Sequence, residues 1–213
     1  MRVINVTAFV DWTAQIHNAG AKRISDPLKR ASITLESVAK VIANGLKEVD
    51  PSSRFAVRLR LYHGWHRGLT PTDNRRALLD LENNPDFQFP YFTNIRFDLP
   101  IGYGENLLNA LPHRKRKKAP LINLPDTLRP SMENPGEVRE KMVDSALVCD
   151  VLTHARFDPE EWRIVLAEDD DLVPALYVSE AWSKDKGGRT MLLRRRGQSK
   201  HLSLDGLIKE YAS

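Results

Sequence analysis

The distribution of apolar side chains divides the chain into alternating strand and helix signals. Residues 2–10, Arg-Val-Ile-Asn-Val-Thr-Ala-Phe-Val, are rich in β-branched and aromatic side chains and predict a buried strand, with Asp11 at its end. Residues 12–27 mix polar and small side chains and read as an irregular crossover. Leu35, Val38, Val41, Ile42 and Leu46 then recur at the spacing of an amphipathic helix. Residues 55–62 predict a second strand, and the loop after it carries His63, Gly64, His66 and Gly68. A short helix is expected over 73–83 and another strand over 90–99. The proline-broken stretch 101–135 holds a basic loop and a short strand signal at 120–124. Residues 137–155 place Val138, Met142, Leu147, Val148, Val151 and Leu152 along a predicted helix. Residues 163–167 predict a short buried strand running straight into Glu168-Asp169-Asp170-Asp171. A helix is expected from Leu172, with an Asp cap and Pro174 in its first turn. Residues 190–193 predict a later strand and 204–211 a terminal helix.

Repeated strand-to-helix crossovers predict an α/β fold with a mostly parallel central sheet covered by helices on both faces. A length of 213 residues fits one domain, 1–213, and no internal repeat or linker divides it. Hydrophobic residues at 41% and charged residues at 28% exclude a disordered chain and a membrane-embedded one. A single cysteine, Cys149, excludes a disulfide framework and a cysteine-rich zinc knuckle. The opening residues enter a strand rather than an apolar leader, which predicts a cytoplasmic protein with no membrane association. No phosphate-cradling glycine loop or dinucleotide fingerprint is present, so motor and dehydrogenase chemistry rank low.

The net charge of +4 says little, but its distribution is uneven. The acidic run 168–171 contrasts with basic runs at Arg114, Lys115, Arg116, Lys117 and Lys118 and at Arg194, Arg195 and Arg196. These cations are candidate contacts for an RNA backbone, with ordinary loop charge as the competing account. In a parallel sheet, strand ends and helix starts meet in one crevice, which would gather Asp11, Asp144, Asp169 and Asp171. Clustered carboxylates repel one another without a cation, and their oxygens suit Mg2+ or Mn2+, as one ion or two. Taken singly, each has a plainer use: Asp171 as a helix cap, Asp169 in a turn, Asp144 paired with Lys141, and Asp11 stabilising the first crossover.

Three blocks carry a resemblance: Phe9-Val10-Asp11, Glu140-Lys141-Met142-Val143-Asp144-Ser145-Ala146-Leu147, and Leu166-Ala167-Glu168-Asp169-Asp170-Asp171-Leu172-Val173-Pro174. In this order they resemble the NYN family of the PIN-like nucleases. That resemblance implies a Rossmann-like three-layer fold and a metal-dependent endoribonuclease. Asp11, Asp144, Asp169 and Asp171 would then be metal-binding and catalytic. Asp150, Asp170 and Thr13 would be supporting residues. Two departures stand out: the family's asparagine soon after the first aspartate is missing from Asp11-Trp12-Thr13-Ala14, and Ala167-Glu168 replaces a common Ser-Gly. They motivate the alternative of a noncatalytic RNA-binding or regulatory protein on the same scaffold. A nucleotide phosphohydrolase is a third class.

Glu140 reads as an exposed helical charge, Glu168 as a turn residue, and His63, His66 and His113 as structural polar groups. Tyr91 reads as core, whereas Trp65 and Tyr103 are weak candidates for base stacking. Trp65 and Trp182 are candidate contacts for a homodimer or an RNA-bearing complex.

Overall fold

The computed structural model describes residues 3–116, 122–134 and 136–195, together with the backbone of 208–211. Six strands form one sheet: β1 (Val3–Asp11), β2 (Arg54–Tyr62), β3 (Ile95–Tyr103), β4 (Trp162–Leu166), β5 (Arg189–Arg195) and β6 (Ile208–Tyr211). Every pairing is parallel, and the spatial order is β6-β5-β4-β1-β2-β3. Chain order therefore reverses at β1 and β4, which lie side by side with Val6 opposite Trp162 and Val10 opposite Leu166.

Helices α1 (Trp12–Asn18), α2 (Pro27–Val49) and α3 (Asp73–Asn83) cover one face, and α4 (Val143–Phe157) and α5 (Val173–Ser183) the other. Because side chains alternate along a strand, β1 sends Val6, Ala8 and Val10 into the first layer and Phe9 into the second. Both faces are buried, which is why β1 is a nearly continuous apolar run. Helix α2 starts where the Asp26 carboxylate accepts the Leu28 amide at 2.9 Å and Pro27 opens the first turn. Its Leu35, Val38, Ile42 and Leu46 are buried on the sheet. Among the described residues, no helix is long and apolar enough to cross a membrane.

The α4 side of the sheet is polar beneath its helix. Asp150, fully buried, accepts from Arg60 (2.6 Å), Tyr62 Oη (2.7 Å) and the Leu108 amide (2.7 Å). Burial and the Asp150 charge push the Tyr62 phenol well above its usual range. The adjoining strand must pass close to this ring: a Cβ on Gly104 would lie 2.2 Å from Tyr62, so only glycine fits.

Several expected elements shift. The helix expected over 137–155 starts only at Val143, because Val138–Glu140 pairs antiparallel with Leu128–Pro130 and Met142 adopts a left-handed conformation before the first turn. The irregular crossover after Asp11 contains α1. The strand expected over 90–99 is displaced to Ile95–Tyr103, and 120–124 contributes only the pair Ile122–Asn123. The terminal helix is corrected to a strand at Ile208–Tyr211, where the open edge of β5 offers unpaired backbone groups; residues 204–207 lie outside the described residues. Trp65 is fully buried and stacks edge-on against Tyr103, itself buried, so both belong to the core, whereas Tyr91 is 90% exposed. Trp182 remains 43% exposed on α5.

Candidate metal centre

At the carboxyl edge of the sheet, β1 and β4 end beside each other, and the chain leaves them in opposite directions. This is the crevice in which open α/β sheets hold their ligands. Asp11 ends β1 and caps α1, its Oδ1 accepting the Ala14 amide at 3.1 Å. Past β4, Asp169 caps the turn Asp170–Leu172, accepting the Asp171 amide at 2.9 Å. Helix α4 starts at this edge, with Asp144 in its first turn.

The electrostatics tie these acids together. Burial raises the Asp11 carboxyl from 3.8 to about 6; the Ala14 amide opposes this rise, and the charges of Glu140 and Asp144 add to it. Asp144 is raised by partial burial and by the charges of Asp169, Glu140 and Asp171. Asp11 thus feels the charge of Asp144, and Asp144 the charges of Asp169 and Asp171, at one edge of the sheet. Asp144, Asp169 and Asp171 face solvent, and Asp11 is partly buried.

Glu140 is a fifth acid in this cleft. It was read from sequence as an exposed helical charge, but it ends a short strand. Its carboxylate accepts the Gly64 amide at 2.6 Å and the Thr13 hydroxyl at 2.9 and 3.0 Å, and lies 2.5 Å from His63 Nδ1. Burial pushes its pKa up, but the bonds from His63, Gly64 and Thr13 outweigh that and hold it below the usual range.

The His63 tautomer follows from its neighbours. Arg30 donates twice to Asn74 Oδ1, at 3.2 and 2.9 Å, which leaves Asn74 Nδ2 to donate to His63 Nε2 at 2.7 Å. Nε2 is then the acceptor, and Nδ1 carries the proton toward Glu140 and Thr13. Thr13, predicted as a supporting residue, serves Glu140 in this chain. The paired histidine and glutamate lie 77 residues apart, and no local spacing announces them.

The remaining candidates separate into two groups. Asp150 is committed to Arg60, Tyr62 and Leu108, one to two helical turns below Asp144. Asp170 is turned to Arg194 at 2.6 Å. Glu168 accepts from Asn18 Nδ2 at 2.6 Å and from the Arg195 amide at 3.1 Å, which fastens the acidic loop to α1 and β5.

The basic runs divide in the same way. Arg194, 2% exposed, and the half-buried Arg195 stand beside the acidic loop. Arg116 instead binds Asp158 at 2.6 Å, at the far end of α4. Fourteen residues of helix separate that end from Asp144, on the order of 20 Å. Arg114 and Lys115 share the helical turn of Arg116 and are exposed there. The Asp158 pairing draws this turn to the opposite edge, away from the acids. Lys117, Lys118 and Arg196 lie outside the described residues.

Among the described residues, no group of three or more His, Cys, Asp or Glu side chains is gathered closely enough to hold a metal ion as placed. The donor set is nevertheless chemically suited to one. All five groups are carboxylates, the hard oxygen ligands that Mg2+ and Mn2+ prefer. Burial first, and then their mutual repulsion, raises Asp11 and Asp144, and a cation would relieve the repulsion. No family model, curated protein or solved structure matches the chain.

Proposed function

We propose that this chain is a metal-dependent endoribonuclease on a Rossmann-like scaffold of the PIN/NYN kind, hydrolysing RNA phosphodiester bonds at the carboxyl edge of its sheet. The observation that carries the reading is the convergence of Asp11, Glu140, Asp144, Asp169 and Asp171 at the point where strand order reverses, with Asp11 raised to about 6 by burial and by neighbouring charge. Asp11, Asp144, Asp169 and Asp171 would hold Mg2+ or Mn2+, one ion or two, and Glu140 joins them as a candidate ligand. Such a metal supplies Lewis acidity and neutralises charge on a phosphodiester.

The chain itself does the positioning. His63, Thr13 and the Gly64 amide hold Glu140 ionised and in place. The Asp169 cap fixes the turn that presents Asp171. Arg195 is the described cation of the basic runs that stands beside the acidic loop without the near-complete burial of Arg194, so it is assigned to the RNA backbone.

A noncatalytic RNA-binding role on the same scaffold is the second reading. It is favoured by Glu168 being tied to Asn18 and Arg195. The two readings are separated by incubating the protein with Mg2+ or Mn2+ and single-stranded RNA, structured RNA or DNA. Asp169→Asn and Asp171→Asn should each lower the cleavage rate by more than the roughly 10- to 100-fold that outer-shell substitutions cost, with folding intact. A folded, metal-loaded protein that binds RNA but cleaves none of these polymers, or Asn variants of undiminished activity, would remove the catalytic reading.

A further inference from the structure

A cavity of about 240 Å3 opens on the other side of the loop that brings His63 to the cleft, bordered by His66, Leu69, Glu105, Asn106, Asn123 and Leu124. We propose that it receives one unpaired nucleobase of the polymer whose backbone crosses the acidic cleft. The polymer's presence there rests on the nuclease reading above.

Location is the first argument. The cavity and the cleft share a wall: the Gly64 amide binds Glu140, and two residues later the His66 amide binds Thr127 Oγ1 at 3.1 Å. Thr127 in turn accepts the Lys141 amide at 2.9 Å, next to Glu140. The walls are pinned. Gly68 and Asp126 exchange two bonds of 2.8 Å, and the Leu124 amide binds the Glu105 carbonyl at 2.7 Å.

The chemistry of the lining is the second. Glu105 is 7% exposed, and its Oε1 accepts from Arg75, whose guanidinium lies 3.5 Å over the Tyr103 ring. Its Oε2 is buried 2.8 Å from His66 Nδ1 and accepts no hydrogen bond from the described residues. An acceptor with spare capacity, two amide side chains and an imidazole form a polar wall. Leu69, 86% exposed, and Leu124 supply an apolar rim. A hydrogen-bonding edge joined to an apolar face is what an unstacked base requires. The volume is below that of drug-sized ligand sites. The Glu105 carboxylate favours bases that carry an exocyclic amine. Uracil presents its single N–H between two carbonyl oxygens, which a carboxylate repels.

The test uses the folded protein in EDTA, so that no hydrolysis occurs, titrated with AMP, GMP, CMP, UMP or ribose 5-phosphate and followed by amide chemical shifts. Saturable shifts at His66, Leu69, Asn123 and Leu124 with at least one amine-bearing mononucleotide, binding more tightly than UMP, are expected. Asn123→Ala, at an exposed position, should weaken that binding roughly five- to ten-fold, the loss of one hydrogen bond. Silence at these four amides up to millimolar concentration overturns the proposal. So does equal binding of ribose 5-phosphate, or binding unchanged by the substitution. A metal-loaded protein that cleaves RNA while the cavity stays silent would end this inference alone. One that cleaves nothing while the cavity binds a base would end only the nuclease reading.

Discussion

Replacing Asp11 with Asn should make the metal-free protein more stable while abolishing hydrolysis. Burial and the charges of Glu140 and Asp144 raise the Asp11 carboxyl from 3.8 to about 6. A shift of roughly two pH units corresponds to about 3 kcal/mol lost on ionising the group in the folded state. The sign follows from which state holds the proton. The stabilising contribution of protonated Asp11 is complete below the unfolded value of 3.8 and is lost as pH rises through about 6. Asparagine cannot ionise, so it escapes that loss, and its Oδ1 can still cap the Ala14 amide. It forfeits the charge–dipole term at the helix start, about 0.3–1 kcal/mol. The net gain should be about 2 kcal/mol near neutral pH, or roughly 4–8 °C in Tm for a chain of this size. Urea unfolding in EDTA should show this gain at about pH 7.5 and lose it below about pH 4. Saturating Mn2+ should reverse the order, because only the carboxylate gains from the ion. A variant no more stable than wild type at neutral pH in EDTA, or one whose advantage persists at pH 4, would refute the reasoning.

Glu140→Gln should destabilise by about 2 kcal/mol at neutral pH, since charge-assisted bonds from His63 and Gly64 are lost. Because the Glu140 pKa is lowered from 4.5, that contribution is present above 4.5 and disappears as pH falls through the depressed value, which urea titrations at stepped pH would follow. Met142→Gly should stabilise by up to about 1 kcal/mol, because Met142 holds φ at 65° ahead of α4, where a Cβ is unfavourable; thermal melts measure it, and a destabilised variant would count against the strain. Asp150→Ala should cost about 3–5 kcal/mol by leaving Arg60 buried without its carboxylate, read as a lower urea midpoint.

Most of the sheet was legible because its strands are buried on both faces and therefore read as apolar runs. β1, β2, β4 and β5 follow that rule, and α3 was located by pattern alone at Asp73–Asn83. Legibility failed where pairing partners decide the structure. Val138, Met142 and Leu147 suit a helix by spacing, but Leu128–Pro130 captures Val138–Glu140 as a strand, and the left-handed Met142 ends that strand before α4 can begin. Tyr91 failed differently. Aromatic and apolar neighbours imply burial in a strand, yet the strand starts four residues later and leaves the ring in solvent.

The cleft was legible to the extent that its acids sit at ends of elements. Asp11 and Asp169 each follow an apolar strand, and Asp144 opens a helix, so topology alone brings them to one edge. Glu140 was hidden for the same reason that its helix was misplaced. On a continuous helix over 137–155 it would lie one turn before Asp144 as one exposed charge among several. In the observed strand it instead faces the loop after β2, where His63 and Gly64 from that loop and Thr13 from α1 converge on it from two separate segments. The basic runs show the converse limit, in which composition leaves location open. Arg116 is as basic as Arg195, but Asp158 holds it at the opposite edge, so among the described residues of the two runs it is the Arg194–Arg195 end that lies beside the acids. A charge reversal at Lys115 should therefore leave RNA affinity nearly unchanged, whereas reversal at Arg195 should weaken it and flatten its salt dependence by about one counterion. Equal effects at the two positions, measured across a salt series, would place the RNA path around both edges and remove the cleft as its main contact.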